Sequence, residues 1–449
     1  MKYLYIIGIL LVFNSCSVKE TQTKAQTLEP ILKTNTELVK SEPQFIADLK
    51  TVPQDVSYYT KNLNQSSSFS QKNYEKQYFR VWNLDKVSIA LTDAKWAHNR
   101  YKNGDTYGEN LQLHKESFFQ CNLNNANYEE YVTVNKKALT LVNVNLRAFP
   151  TNKPVLRDPK IAGEGFPFDY LQNSSIAPNK PLIVSHYSKD KKWAFVESSF
   201  AFGWVKSRNI VTVDEKYTKI WQQAQQVFII GEGTPIYSED GEFLFKSRIG
   251  MMLPLVNEDE DTYTVLTLSK YKNKKPLYVK SKIDKRIASK DILEFNAKNI
   301  NLILKEISKT NYGWGGIFAQ RDCSSTLRDF YAPFGLWLPR NSSQQSKIGK
   351  VVNLEGMSIS EKRLVIKKEA VAFRTLVFKQ GHIALYVGRF NNKAIIFQNV
   401  WGVKTKKDGV EGRFIIGRPI FSTLEVGKNL KTFDAKASML YKLKSISTL

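Results

Sequence analysis

Residues 321–331 have the sequence Arg-Asp-Cys-Ser-Ser-Thr-Leu-Arg-Asp-Phe-Tyr, and this stretch decides the fold of the last third of the chain. It predicts a short helix that ends at Pro333 and Gly335. Cys323 falls at the amino-terminal end, where unpaired backbone N–H groups and the helix dipole favour a thiolate. We therefore expect a lowered pKa for Cys323. The same N–H groups can receive the oxyanion of an acyl-transfer intermediate.

The base for such a thiol should be a histidine that is distant in sequence and adjacent in space. Of the four histidines, His382 follows a glycine and begins an apolar run, which predicts a ring at a strand end. The next apolar run, 393–402, predicts the hairpin partner of that strand. Gln398 and Asn399 are the candidates for orienting the imidazole. Because adjacent strand residues point to opposite faces, only one of them can do so.

The segment before Cys323 completes this arrangement. Residues 296–309 carry apolar side chains at helical spacing and predict an amphipathic helix. Tyr312 and Trp314 follow in a glycine-rich loop that allows close backbone approach. A lone cysteine before a helix is more often structural than catalytic. The order of helix, loop, cysteine helix, histidine strand and polar strand favours a cysteine hydrolase.

The middle of the chain has the pattern of β-structure. Residues 138–215 and 216–294 contain short β-type runs separated by turn residues, which predicts two small barrels in tandem. Neither segment has a cluster of acid–base side chains, so we expect binding or positioning modules. The aromatic-rich segment 61–137 predicts a folded, partly helical unit.

The first residues have the pattern of an export signal. Lys2 precedes an apolar run, 3–13, that is too short to span a bilayer permanently. A small residue directly before Cys16 resembles the bacterial lipobox, so we expect residues 1–16 to be removed as a lipoprotein signal peptide and Cys16 to be lipidated. An ordinary signal peptide cleaved nearby is the alternative. Residues 17–60 predict a flexible tether.

The net charge of +24 indicates a polyanionic environment, either nucleic acid, an acidic membrane surface or a cell wall. Export and the lack of nucleic-acid-binding motifs exclude nucleic acid as a partner. The sequence has no P-loop, Rossmann turn or metal-binding spacing, so we expect no cofactor and no metal. Cys121 lies beside aromatic residues and is interpreted as a small buried hydrophobe that does not pair with Cys323.

Together these residues resemble the NlpC/P60 peptidases, which have a papain-like fold. Upstream segments are similar to the bacterial SH3-type domain and to the N-terminal stabilising region of the same multidomain proteins. The resemblance implies an α+β protein in which two small SH3-like barrels and a partly helical stabilising region precede the catalytic domain. The motifs are Tyr312-x-Trp314-Gly315-Gly316, Asp322-Cys323-Ser324 and Gly381-His382-Ile383 with Tyr386-x-Gly388 for the peptidase, 145–151, 165–169 and 203–205 for the SH3-type domain, and 107–111 for the stabilising region.

The resemblance also implies roles for single residues. Cys323 matches the nucleophile, His382 the base, and Tyr312 a tyrosine that helps to bind the oxyanion. The third catalytic position is usually histidine in the family, and Gln398 stands there in this sequence. An amide carbonyl can still accept the ring N–H and orient the base. The implied substrate-binding residues are Asp322 and Ser324, which would bind the ammonium group of a free N-terminal L-Ala, and Trp314.

The implied activity is hydrolysis of peptidoglycan stem peptides at the γ-D-glutamyl–meso-diaminopimelate bond. A catalytically inactive wall-binding lipoprotein and an N-acetylmuramoyl-L-alanine amidase are the alternatives. We expect a monomer in the periplasm. The lipid anchor would hold it at the membrane, and in a Gram-negative envelope this is the outer membrane. The predicted divisions are a signal peptide (1–16), a tether (17–60), a stabilising region (61–137), two barrels (138–215 and 216–294) and a catalytic domain (295–449).

Overall fold

The structure is a computed structural model that describes residues 45–61, 63, 66–101, 104–272 and 275–449. The predicted signal peptide, Cys16 and tether residues 17–44 lie outside these ranges. In the described part, no helix is long and apolar enough to cross a membrane.

Helices occur mainly at the two ends of the described chain. They are α1 (Asp48–Thr51), α2 (Ser57–Thr60), α3 (Gln71–Tyr78), α4 (Leu91–Ala94), α5 (Trp96–Arg100), α6 (Glu116–Asn125), α7 (Glu215–Gln223), α8 (Ala297–Ser308), α9 (Cys323–Tyr331), α10 (Ser342–Gln345), α11 (Ile359–Glu369) and α12 (Met439–Lys442).

The strands form three main antiparallel sheets and one two-stranded ribbon. The first twelve are β1 (Lys136–Thr140), β2 (Val144–Arg147), β3 (Gln172–Ile176), β4 (Pro181–Tyr187), β5 (Trp193–Ser198), β6 (Phe202–Lys206), β7 (Ile210–Thr212), β8 (Gln226–Ile229), β9 (Pro235–Tyr237), β10 (Phe243–Lys246), β11 (Met252–Glu258) and β12 (Thr262–Lys272). The others are β13 (Lys275–Asp284), β14 (Ala288–Ser289), β15 (Lys350–Asn353), β16 (Thr375–Lys379), β17 (His382–Phe390), β18 (Lys393–Lys407), β19 (Val410–Thr423) and β20 (Leu443–Thr448).

Two sheets make up the middle of the chain. The first has the order β3-β2-β6-β5-β4-β1-β7, and the second has the order β13-β12-β11-β8-β14 beside the ribbon β10-β9. The first sheet buries alternating aliphatic side chains such as Leu146, Val184 and Val196. These sheets and the helices before and after them confirm the predicted α+β class and the order of its parts.

The last third builds a six-stranded sheet with the order β15-β20-β16-β17-β18-β19. Helices α8 and α9 pack together, and α9 also contacts β17 and β18. The predicted amphipathic helix is confirmed as α8, whose Ile300, Ile303, Leu304 and Ile307 are all buried. Asn296 caps it by accepting a hydrogen bond from the backbone N–H of Asn299. This packing brings the start of α9 to the strand that His382 begins.

Residues 45–60 correct the predicted tether. Instead of a flexible segment they form α1 and α2, which pack against β19 and α8 respectively. Val52, Val56 and Tyr59 are buried in the core that also contains α8 and α9. The sequence gives no sign of α1 and α2, because each is too short to show a periodic pattern. The prediction was therefore wrong for residues 45–60.

Cys121 also departs from its prediction. It lies on α6 and is exposed, whereas its neighbour Phe119 is buried. Consecutive helical residues face different directions, so an aromatic neighbour does not imply burial. Cys121 and Cys323 are both free thiols.

His98 on α5 gives a testable acid sensitivity. Its ring stacks on Phe149 at 4.0 Å between centroids, and within the described residues neither ring nitrogen has a hydrogen-bond partner. Burial, helped by the charge of Lys95, lowers the pKa of His98 to about 4. An unfolded histidine titrates near 6.5, so the unfolded state binds this proton more tightly. The stability that His98 contributes is complete above about pH 6.5 and is lost as the pH falls towards 4.

We expect His98→Phe to keep the stacking and to remove this site of protonation. Compared with the wild type, the variant should gain on the order of 2 kcal/mol in free energy of unfolding at pH 4.5 relative to pH 7.5. Urea unfolding at the two pH values measures the difference. Equal pH dependence in both proteins would show that burial does not lower the pKa of His98.

Candidate active site

The start of α9 is fixed by a capping box. Asp322 occupies the N-cap position and accepts a hydrogen bond from the backbone N–H of Ser325 at 2.9 Å. The hydroxyl of Ser325 in turn accepts from the backbone N–H of Asp322 at 2.9 Å. Reciprocal bonds of this kind satisfy two otherwise unpaired donors and define where a helix begins. Cys323 is therefore held at the first helical position, where it is 9% exposed.

The thiol of Cys323 lies beside the strand that carries His382. The backbone N–H groups of Ser324, on its own helix, and of Ile383, the residue after His382, lie close enough to the sulfur to act on its pKa. The predicted helix start and histidine strand are thus both present and in contact. The structure brings Cys323 next to Ile383, the residue that follows His382.

The charge state of this pair differs from the prediction. Burial, reinforced by the carboxylate of Asp322, raises the pKa of Cys323 to about 12 and outweighs the two N–H groups and Arg340. Burial and the nearby charge of Lys379 lower the pKa of His382 to about 4. The expected lowering of the thiol pKa by the helix start is therefore wrong for the resting protein. Both the thiol and the imidazole are therefore neutral in the resting protein.

Gln398 orients the imidazole. Nε2 of His382 donates to Oε1 of Gln398 at 2.8 Å, and Nε2 of Gln398 donates to the hydroxyl of Ser422 at 2.7 Å. An amide oxygen only accepts, so the proton sits on Nε2 of the neutral ring and Nδ1 is left as the basic nitrogen. Asn399 points the other way and donates to the carbonyl of Arg321. Of the two alternatives left open by the sequence, Gln398 contacts the ring.

We expect Gln398→Leu to lower kcat by about 10- to 100-fold, because the ring loses the partner that fixes its tautomer and orientation. Gln398→Glu should retain most of the activity, since a carboxylate also accepts from Nε2 and can accept from Ser422. Steady-state kinetics on a defined stem peptide compare the two variants. Full activity in Gln398→Leu would mean that another group orients His382.

Tyr312 lies near the thiol. Its backbone N–H donates to the carbonyl of Gly417 at 2.9 Å, and the next N–H donates to the carbonyl of Arg321 at 2.8 Å. Burial, then the nearby charges of Cys323 and Asp322, raise the pKa of Tyr312 well above its usual value. The phenol therefore stays protonated and can donate a hydrogen bond to an oxyanion.

Asp322 and Ser324, the predicted amine-binding residues, contact a buried arginine. Arg340 donates to Oδ2 of Asp322 at 2.5 Å and to the hydroxyl of Ser324 at 2.9 Å. It also donates to Ser174 of β3 at 2.8 Å, which ties the first sheet to the helix start. The Arg340 charge and the Ser325 hydrogen bonds, opposed by burial, lower the pKa of Asp322. Asp322 thus stays ionised, and Oδ2 accepts one hydrogen bond, from Arg340, which leaves it an acceptor position.

Trp314 joins the loop before Cys323 to the first sheet's domain. Its indole N–H donates to the carbonyl of Asp169 at 3.0 Å. Its ring packs edge to face on Phe168 at 5.2 Å between centroids, and Phe168 also contacts Trp401 at 5.9 Å. Trp401 in turn lies 5.9 Å from the ring of Tyr312. An aromatic wall built from two domains therefore borders the site.

The two glycines after Trp314 make this contact possible. Gly315 and Gly316 have φ angles of 57° and 79°, in the left-handed region. A Cβ on Gly315 would collide with the carbonyl of Gln172, and a Cβ on Gly316 would lie 2.5 Å from that of Ser175. The glycine loop thus packs directly on β3, as close backbone approach requires.

The sequence missed other residues that hold the site. One of them is Arg340, which binds Asp322 and Ser324 at the start of α9. Trp401, Ser422 and Lys379 carried no recognisable signal, because strand pairing alone brings them to the site. Among the residues that the structure describes, no group of three or more His, Cys, Asp or Glu side chains could hold a metal ion.

Four protein-family models match this sequence. They are the NLPC_P60 stabilising domain at residues 5–131, the SH3 domain of SH3b1 type at 154–206, the SH3 domain of SH3b2 type at 214–260, and the NlpC/P60 family at 309–410. The last range contains Tyr312, Cys323, His382 and Gln398. No curated protein matches the sequence.

A solved structure shows the same fold. An NlpC/P60 endopeptidase from Photobacterium damselae subsp. piscicida has a TM-score of 0.76 and 22% identity, with 88% of this chain and 97% of that chain covered. An NlpC/P60 family protein from Bacillus cereus has a TM-score of 0.39 and 16% identity, with 61% of this chain and 81% of that chain covered. The first similarity extends the shared fold over nearly the whole described chain.

Proposed function

Since this chain belongs to the NlpC/P60 family, with the peptidase domain behind a stabilising domain and two SH3-type domains, we propose that it is a cysteine peptidase that cuts peptidoglycan stem peptides. The observation that carries the proposal is the contact at the start of α9. There the Cys323 sulfur meets the backbone of the strand begun by His382, whose ring is held by Gln398.

The mechanism follows from these positions. Nδ1 of His382 takes the thiol proton as the Cys323 sulfur bonds to the scissile carbonyl carbon. The oxyanion is received by the N–H groups at the helix start and by the Tyr312 hydroxyl. The imidazolium then protonates the leaving amine as the carbon–nitrogen bond breaks. Water, deprotonated by His382, hydrolyses the thioester and restores the thiol.

The proposed scissile bond is the γ-D-glutamyl–meso-diaminopimelate bond of stems that begin with a free L-Ala. Support comes from Asp322, which stays ionised beside Cys323 and keeps an acceptor position on Oδ2 for an ammonium group. Ser324 and Trp314 are the further proposed substrate contacts. Because the domain of the first sheet packs on the Trp314 loop, it would restrict the site to short stems.

The proposed setting is the periplasm, with the chain held at the envelope by a lipid on Cys16 and acting as a monomer. We propose domain limits of 61–137, 138–215, 216–294 and 295–449 for the stabilising region, the two SH3-type domains and the catalytic domain.

Digestion of defined substrates followed by mass analysis tests this function. The substrates are the tripeptide L-Ala-γ-D-Glu-meso-diaminopimelate, its N-acetylated form, and purified peptidoglycan. We expect the dipeptide L-Ala-D-Glu from the first and at least ~10-fold slower cleavage of the second, because it lacks the ammonium group. Release of whole stems from the sugar would instead identify an amidase. Sedimentation with peptidoglycan without any cleavage would identify a wall-binding protein.

A further inference from the structure

Lys379 is a cation next to the imidazole that the mechanism does not use. It ends β16, and the strand register places it directly opposite His382 on β17. Residues directly opposite in an antiparallel pair project to the same side of a sheet. The ammonium group therefore lies beside the base, and its charge contributes to the lowered pKa of His382.

Within the described residues, no carboxylate pairs with Lys379. Its Nζ reaches only the carbonyl of Ala437, at 3.5 Å, and the side chain is half-buried. Burial, together with the charges of Lys442 and Arg413, lowers the pKa of Lys379, while Cys323 opposes this. Keeping a partly desolvated cation without a counter-ion is unfavourable. An anion that entered the site would relieve this cost.

A second cation, Arg413, lies near enough to Lys379 to lower its pKa. It lies on the long hairpin arm formed by β18 and β19, and its guanidinium sits against Gly163, where a Cβ would overlap it. The β18–β19 hairpin thus extends from the six-stranded sheet to the loop that contains Gly163, shortly before Phe168 of the aromatic wall. The groups that act on the pKa of His382 are Lys379, Gln398 and Asp322, and the one carboxylate among them is already bound by Arg340.

We propose that Lys379, assisted by Arg413, binds a carboxylate on the amino acid that leaves during cleavage. The inference rests on the proposed function and names the recognition of its leaving half. Because His382 protonates the leaving amine, a group beside its ring faces the residue that carries this amine. A diamino acid with two carboxylates offers the anion either next to the scissile bond or at its far end.

Three tripeptides separate these sources: L-Ala-γ-D-Glu-meso-diaminopimelate, the same peptide with the near carboxylate converted to an amide, and the same peptide with the far one converted. The full chain and Lys379→Met are compared on each. For the dicarboxylate, Lys379→Met should lower kcat/KM by at least ~10-fold, mainly through KM. For one of the two amides, the wild type should already be slow and Lys379→Met should change little. That amide identifies the carboxylate that is bound.

Lys367→Met is the matched control, because Lys367 is exposed on α11 and should leave all three rates unchanged. The contrary result is that Lys379→Met lowers kcat/KM by the same factor on all three substrates and shifts the acid limb of the pH–kcat profile. This result would show that Lys379 only changes the pKa of His382, and it would overturn the proposal. So would unchanged kinetics in Lys379→Met.

A binding experiment distinguishes failure of this inference from failure of the proposed function. Calorimetry measures binding of the same three peptides to Cys323→Ala and to Cys323→Ala/Lys379→Met. Weaker binding of the dicarboxylate by at least ~10-fold in the double variant, with one amide unaffected, supports the inference even if the wild type cleaves nothing. Equal affinities in the two variants overturn it.

Discussion

Cys323→Ala is expected to abolish stem-peptide hydrolysis, with a fall in kcat of at least ~10⁴-fold. Without the sulfur no thioester forms, and His382 and the oxyanion donors have no nucleophile to assist. Mass analysis of stem-peptide digests over several hours measures the residual rate. The substitution removes only the sulfur atom from a well-packed helix start, so the protein should remain folded.

Cys121→Ala is the matched control for this prediction. Cys121 is the other free thiol in the described part of the chain, and it is exposed on α6. Its loss should change neither kcat nor KM. Cleavage by Cys323→Ala within tenfold of the wild-type rate, in a protein with unchanged melting temperature, would remove Cys323 from the mechanism.

Asp329→Ala is expected to lower the free energy of unfolding by about 3–5 kcal/mol. Asp329 on α9 accepts from Arg321 at 2.7 Å and from Arg328 at 2.8 Å, and Arg248 lies 3.5 Å away. These charges lower the pKa of Asp329 far below its usual value. Arg321 is 0% exposed and also pairs with Glu232. Removing Asp329 leaves three buried or half-buried guanidinium groups with a single carboxylate.

The same network supports the site, so activity should fall as well. Arg321 directly precedes Asp322, and its carbonyl accepts from both Gly313 and Asn399. Urea unfolding followed by near-UV circular dichroism measures the loss of stability, and Asp240→Asn, at an exposed turn, serves as the control. A loss below 1 kcal/mol in Asp329→Ala would mean that water or other groups compensate the arginine charges.

The elements that carry the chemistry could be predicted because their patterns are local. Apolar residues at helical spacing identify α8, and Pro333 and Gly335 indicate where α9 ends. The glycine before His382 indicates the start of a strand. The choice between Gln398 and Asn399 could not be made from alternation alone, since the strand's orientation depends on its neighbours. The structure settles which of them contacts the ring.

Properties that depend on tertiary packing could not be predicted from the sequence. The thiol pKa is the clearest case, because burial and Asp322 outweigh the helix start, and neither burial nor the position of a charge is visible locally. Arg340 joins Asp322 to Ser174 of the first sheet, a contact between domains that no local pattern indicates. Residues 45–60 were misassigned because their burial comes from contacts with β19 and α8, more than 200 residues away.

We expect Cys323 to form a covalent acyl intermediate with a stem peptide. Rapid acid quench of wild-type protein with L-Ala-γ-D-Glu-meso-diaminopimelate, followed by peptide mass mapping, detects this intermediate. We predict an L-Ala-γ-D-glutamyl adduct on the peptide that contains Cys323 and none on the peptide that contains Cys121. Turnover of the substrate with no adduct on Cys323, or an adduct on another residue, would contradict it.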